Sequence, residues 1–433
     1  MLAKRFGRQI RKQGSRAACL ALGAGLLACD GPLDPGDSDR IDQLPRALSA
    51  NEQAVIVRSN GFGLELLKEV VAADPRPNIV ISSLSASMAL GMTLNGAVDS
   101  TFTAMGTTLG FEGMAQADIN AAYSGLIELL SGLDPTVTFE IANAIWANQN
   151  YTFHQDFFDD VSGAFDARVE SSDFSNGATL GEINGWVDDK TSGKIESILD
   201  QLDPDLVMLL LNAIYFDGAW TTQFDPDDTQ PGSFTRPDDS QVTVDMMHMA
   251  DEEFSLGGGA GYASAELPYG GEAFSMIYLV PDDGDARALV ATLDDTKWAE
   301  ITGSLTVQEV DQLSIPKMTL TYDVFLNEML ADMGMDVAFT PGADFSGMSP
   351  QGDSFCIDFV RQKTFLEVDE AGTRAAAVTA VGIGPTSFTG LIVDRPFVFA
   401  IRERLSGTIL FTGVVEDPTA AAEAPDDFVS RCG

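Results

Sequence analysis

From Thr373 to Thr389 the chain carries a single charged side chain, Arg374, and most of its other residues are small or β-branched. With the side-chain period of 2 that an extended strand imposes, one face holds Thr373, Ala375, Ala377, Thr379, Val381 and Ile383. The other holds Arg374, Ala376, Val378, Ala380, Gly382 and Gly384. Such a segment can lie as a loop or short helix. It can also enter a sheet as a central strand with one face buried, small side chains leading. The flanks read as strand: Thr364–Val368 before a Glu370-Ala371-Gly372-Thr373 turn, then Asp394–Arg402 and Gly407–Val415. The stretch Gly382–Gly390 has the composition of an exposed loop.

The opposite end carries an address. Six of the 25 basic residues precede residue 17, with no acid among them, and the apolar run Ala17–Ala28 follows. That run is too short to span a bilayer and fits an export signal. It ends Leu26-Leu27-Ala28-Cys29, which resembles a bacterial lipobox, so Cys29 is expected to be cleaved free and lipidated. The alternative is an ordinary signal peptide with an incidental Cys29. The domains expected are a signal peptide at 1–28, an extended Asp- and Pro-rich tether at 29–46, one large domain at 47–418 and a loose tail at 419–433. Outside the cytoplasm Cys356 and Cys432 could pair, but their spacing leaves pairing and separation equally open.

Charge and missing motifs narrow the function. The 433 residues include 65 acids, for a net charge of −40, which argues against nucleic acid or heparin as partners. Only His154 and His248 are present, with no metal-binding His or Cys spacing, no nucleophile elbow and no P-loop, so neither a metal nor another cofactor is expected. Ser314-Ile315-Pro316-Lys317 matches Ser-x-x-Lys by letter, but Pro316 and the apolar flanks make it a strand. Phe62, Leu66, Leu67, Val70 and Val71 recur at helical spacing, as do Leu84, Met88 and Met92. Val137, Phe139, Ile141 and Ile145 alternate, as do Met276, Tyr278 and Val280. Helices dominate the first half and strands the second, an α+β pattern.

Several blocks, in order, resemble the serpins. They are Asn78–Ser85, Leu210–Trp220, Glu266–Tyr269, Ile315–Met318, Ala343–Met348, the turn and small-residue segment after Phe365, and Asp394–Val415. The resemblance implies an α+β fold with three β-sheets and about eight or nine helices. It implies a suicide inhibitor, not an enzyme: a serine or cysteine protease takes the loop as substrate, and the cleaved loop inserts into the main sheet. A non-inhibitory surface-binding protein is the alternative. The hinge would comprise Glu370, Gly372, Thr373, Ala375, Ala376 and Ala377, and the shutter and breach Ser82, Asn212, Trp220 and Gln362. Ser83 stands where the family usually has proline, and Gln362 about where it has histidine, which removes any pH sensitivity through that group.

Counting from Gly372 puts the reactive bond at Thr386–Ser387, whereas counting back from Pro396 puts it at Pro385–Thr386. Few protease pockets accept proline immediately before the cut, which favours Thr386–Ser387 and an elastase-like or subtilisin-like target. Phe388 would serve a chymotrypsin-like one. A monomer is expected, exported to the cell envelope or beyond and touching membrane only through its lipid.

Overall fold

The helix that opens the domain is fixed at its first turn. Ser49 caps it by accepting from the Glu52 backbone N–H, while Glu52 accepts from the Ser49 N–H at 2.6 Å and from Arg46 at 2.6 Å. The hydrogen bond from Arg46 outweighs burial and holds the Glu52 carboxyl down at about 2. The computed structural model describes residues 40–372, 389–425, 430 and 432, all within one compact unit.

In chain order the elements are α1 (Ala50–Ala73), β1 (Asn78–Ile81), α2 (Ser83–Leu94), α3 (Asp99–Thr108), α4 (Gln116–Leu130) and β2 (Val137–Asn148). There follow α5 (Gln155–Phe165), β3 (Arg168–Ser172), α6 (Gly177–Lys190), β4 (Met208–Gly218), β5 (Gln230–Thr235) and β6 (Gln241–Met249). Next come β7 (Glu252–Gly259), β8 (Tyr262–Tyr269), β9 (Phe274–Pro281), α7 (Ala286–Ala291), α8 (Asp295–Ser304) and β10 (Thr306–Val310). The last are β11 (Gln312–Pro316), β12 (Met318–Phe325), α9 (Asn327–Leu330), β13 (Arg361–Val368), β14 (Gly390–Ile392), β15 (Phe397–Glu403) and β16 (Ile409–Val415).

A seven-stranded sheet runs β1-β16-β15-β9-β8-β7-β10 and a four-stranded one β14-β11-β6-β5. Where the family pattern implies a third sheet, the described residues form two separate groups, β3-β2-β4 and β12-β13. The third layer is therefore split between β4 and β13.

Helical spacing over Phe62–Val71 and Leu84–Met92 corresponds to α1 and α2. The residues of α2 are buried nearly all round, as a helix apolar on every side must be. Alternation over Val137–Ile145 falls on β2. The period read at Met276, Tyr278 and Val280 falls on β9, but all eight of its residues are buried, so it has no solvent face. Ser314 lies on β11 and Lys317 is the single residue between β11 and β12, which leaves Ser-x-x-Lys without a helix.

The described residues at both ends of the domain make contacts with its body. Ile41 N–H donates to Gly271 C=O at 2.7 Å and Arg40 pairs with Glu272 at 3.1 Å, so residues assigned to the tether already touch the body. Cys356 and Cys432, whose pairing the sequence left open, are disulfide-bonded, with Cα atoms 5.9 Å apart.

Where α1 meets the start of α2, Gly63 makes room for Ser83: a Cβ on Gly63 would lie 2.3 Å from Ser83 Cβ. Gly63→Ala should lower stability by about 1–3 kcal/mol, read as the shift of the denaturant unfolding midpoint. An unchanged midpoint would mean that this helix contact is slack.

Candidate functional site

β4 is bonded to β2 along one edge and β13 to β12 along one edge. Their remaining edges face each other with no ladder between them among the described residues. Both strands line two cavities. A small one of about 70 Å³ lies between Ile214–Gly218 and Phe365–Glu367. Toward the strands' N-terminal ends a larger one, about 680 Å³, lies between Met208–Ile214 and Val360–Phe365, floored by α2 residues such as Ala86 and Leu90.

The C-terminal ends of the two strands meet. Trp220 N–H donates to Ala371 C=O at 2.9 Å, its indole Nε1–H to Asp369 C=O at 3.0 Å, and Phe224 N–H to Glu370 C=O at 2.9 Å. β4 and β13 therefore run parallel. A chain turning back between them from Gly372 would be antiparallel to both and could bond both edges. Gly372 has the positive φ of 75° that such a corner needs, and a Cβ there would lie 2.3 Å from Trp220 N and 2.4 Å from Gly218 O. The Trp220 ring stacks on Tyr269 with centroids 4.3 Å apart.

The expected shutter residues divide between the two edges. Gln362 on β13 clasps Ser82 both ways: Ser82 N–H donates to Oε1, and Nε2–H donates to Ser82 C=O, each at 2.9 Å. Ser82 also caps α2 and donates its hydroxyl to Leu410 C=O at 2.9 Å. Asn212 on β4 donates to Asn143 Oδ1 at 2.6 Å, and Asn143 donates to Phe165 C=O at 2.7 Å. The Oδ1 of Asn212 is buried without a partner among the described residues. Asn212 and Gln362 line the same cavity from opposite walls.

At the corner Glu370 accepts from Lys317 Nζ and from Thr229 Oγ1, both at 2.7 Å. Burial works to raise its pKa, but these hydrogen bonds win and hold the carboxyl below its ordinary range. Asp369 beside it is pushed up, chiefly by burial. Sequence reasoning found Glu370 but not Thr229, nor Asn143 behind Asn212. A polar Asn143 inside the apolar alternation of β2 was the available sign. Thr373, Ala375, Ala376, Ala377, Thr386, Ser387 and Cys29 lie outside the described residues. Among those described, no group of His, Cys, Asp or Glu could hold a metal, and no helix is long and apolar enough to cross a membrane.

A depressed carboxyl pKa contributes stability that is present above the unfolded value and lost as pH falls through the folded one. Acidification should therefore release Glu370 from Lys317 and Thr229 and loosen the Trp220 corner. Protonating Asp369 works the opposite way. Trp220 emission, isolated by difference from Trp220→Phe, should change as pH falls below the ordinary glutamate value of about 4.3. Glu370→Gln should remove that transition; its survival would assign it to another carboxylate.

The serpin (serine protease inhibitor) family model matches residues 57–418. Human neuroserpin is 30% identical over 380 residues, covering 85% of this chain and 92% of its own. An uncharacterized serpin-like protein of Methanosarcina acetivorans is 29% identical over 378 residues, covering 86% and 88%. The native-state crystal structure of tengpin, a thermophilic serpin, aligns with a TM-score of 0.76 at 31% identity, covering 88% of this chain and 98% of its own. Human thyroxine-binding globulin, solved in complex with thyroxine, gives a TM-score of 0.77 at 28% identity, covering 86% of this chain and 100% of its own. With two strand edges that converge on Gly372 and have no ladder partner among the described residues, and a family match over most of its length, the chain belongs to the serpin family.

Proposed function

We propose that this serpin is a suicide inhibitor of a serine-type protease and works by strand insertion. The observation that supports this reading is the pair of parallel edges on β4 and β13, without a ladder partner among the described residues and joined at one end to Gly372. The protease serine attacks the Thr386 carbonyl, the amine of Ser387 leaves with a proton, and an ester joins enzyme and inhibitor. The freed segment Thr373–Thr386 is longer than the 11-residue edge of β4, so it can fill the slot from end to end. Insertion carries the ester, with the protease attached, toward the far end before water hydrolyses it. Thr373, Ala375 and Ala377 face inward, and Ala376 with Arg374 faces out. Ser82, Gln362 and Asn212 act as the shutter, and Asn212 Oδ1 takes a donor from the incoming strand. Trp220, Glu370 and Gly372 form the corner where entry begins. The protease has a small primary pocket, elastase-like or subtilisin-like.

Thr373→Arg should convert inhibitor to substrate. Burying an unpaired guanidinium at the first inward position costs several kcal/mol, enough to let deacylation win. Outward-facing Ala376→Arg should retain more SDS-stable adduct on a gel. Equal adduct from Thr373→Arg and wild type contradicts insertion, and clean cleavage of wild type by a whole protease panel favours a non-inhibitory binding role. In the reduced adduct, a C-terminal peptide beginning at Ser387 locates the cut as proposed; one beginning at Thr389 moves it after Phe388.

Cys29 anchors the exported protein through lipid. In a bacterial host Cys29→Ala should move it from the membrane fraction to the soluble one. Wild type already soluble, with an unmodified N-terminus, contradicts the anchor.

A further inference from the structure

The cut that the proposed function requires falls between the two cysteines of the disulfide. Cys356 precedes β13 and stays with the N-terminal fragment, while Cys432 goes with the C-terminal one. That second fragment is not a detachable tail. It contributes β14, β15 and β16, paired to β11, β9 and β1 respectively, and all seven residues of β16 are buried. Losing it would remove three strands and open the core.

Beyond β16 the chain is led back along the body. Arg287 pairs with Glu416 at 3.0 Å, Arg236 with Asp417 at 2.7 Å, and Arg76 donates to Glu423 C=O at 3.3 Å. Ser430 then hydrogen-bonds Asp358, and Cys432 reaches Cys356 at the rim of the larger cavity.

We propose that the Cys356–Cys432 disulfide is a retention device: it keeps the inhibitor in one covalent piece after its loop is cut. The bond closes a loop with a sequence separation of 76, and every position from Thr373 to Phe388 lies inside it. Without the bond, a cut molecule that opens transiently becomes two chains, and the fragment returns only by a second-order encounter. With it, return is intramolecular and independent of dilution. This inference rests on the proposed function for its purpose, because the lipid at Cys29 and the trapped protease both sit on the N-terminal fragment. The disulfide is then the only covalent tie of the other fragment to the membrane. Both cysteines are half-buried rather than sealed, so a reducing environment removes the tie.

The test uses the full mature protein, cut in its loop by a small-pocket serine protease, given a heat pulse under oxidising conditions, cooled and passed through a filter that holds back only the large fragment. Wild type should keep its C-terminal fragment and run as one band on a non-reducing gel and two on a reducing one. Cys432→Ser, and wild type reduced and alkylated after cutting, should each release roughly tenfold more fragment into the filtrate. Two bands for cut wild type without reductant would show that the bond is absent. Release from Cys432→Ser no greater than from wild type would show that strand pairing alone retains the fragment. Either result overturns the proposal. A protein cleaved purely as substrate gives the same two fragments, so failure of the inhibitory reading leaves this result readable.

Discussion

A β-strand edge presents a row of backbone donors and acceptors that must find partners, and among the described residues two such edges, on β4 and β13, face each other without a ladder. The rest of the site is arranged around that condition. At one end Trp220 and Phe224 join the strands through three hydrogen bonds to Asp369, Glu370 and Ala371. In the middle, Gln362 holds its edge to the cap of α2 while Asn212 holds the other to β2 through Asn143. Each wall is braced from behind, and neither polar side chain is spent on bridging the gap.

The energy available from closing such a gap is large on the scale of folding. A strand bonded on both sides adds roughly two hydrogen bonds per residue at about 0.5–1.5 kcal/mol each. Along an edge the length of β4 that is on the order of 10 kcal/mol, comparable to the whole stability of an ordinary domain. On the proposed mechanism, a native state that leaves this unrealised has to be held kinetically. In the proposed mechanism the corner residues are where such holding is exerted, because an entering strand displaces its contacts from there onward. A charge on the buried face erases several kcal/mol of the same gain.

Much of this was legible in the sequence, for physical reasons that can be named. Gly372 announced a turn, the spacing of Leu84, Met88 and Met92 a helix, and the singly charged alternation that follows Gly372 a segment able to lie in a loop or a strand. The split layer left no such mark. A missing ladder changes neither the period nor the composition of β4 or β13, and each reads as an ordinary strand. Partners far apart in the chain were equally silent: Lys317 with Glu370, Asn143 with Asn212, and Cys356 with Cys432 are brought together only by the finished fold. β9 shows the converse, since alternation there described only half of a strand that is buried on both faces.

Backbone hydrogen exchange across the slot tests the strand-entry account most directly. Slot-facing amides of Leu209–Gly218 and Gln362–Val368 should exchange readily in the intact protein. They should become strongly protected, together, once the loop has been cut. Cutting that leaves exchange in both strands unchanged would contradict insertion between β4 and β13.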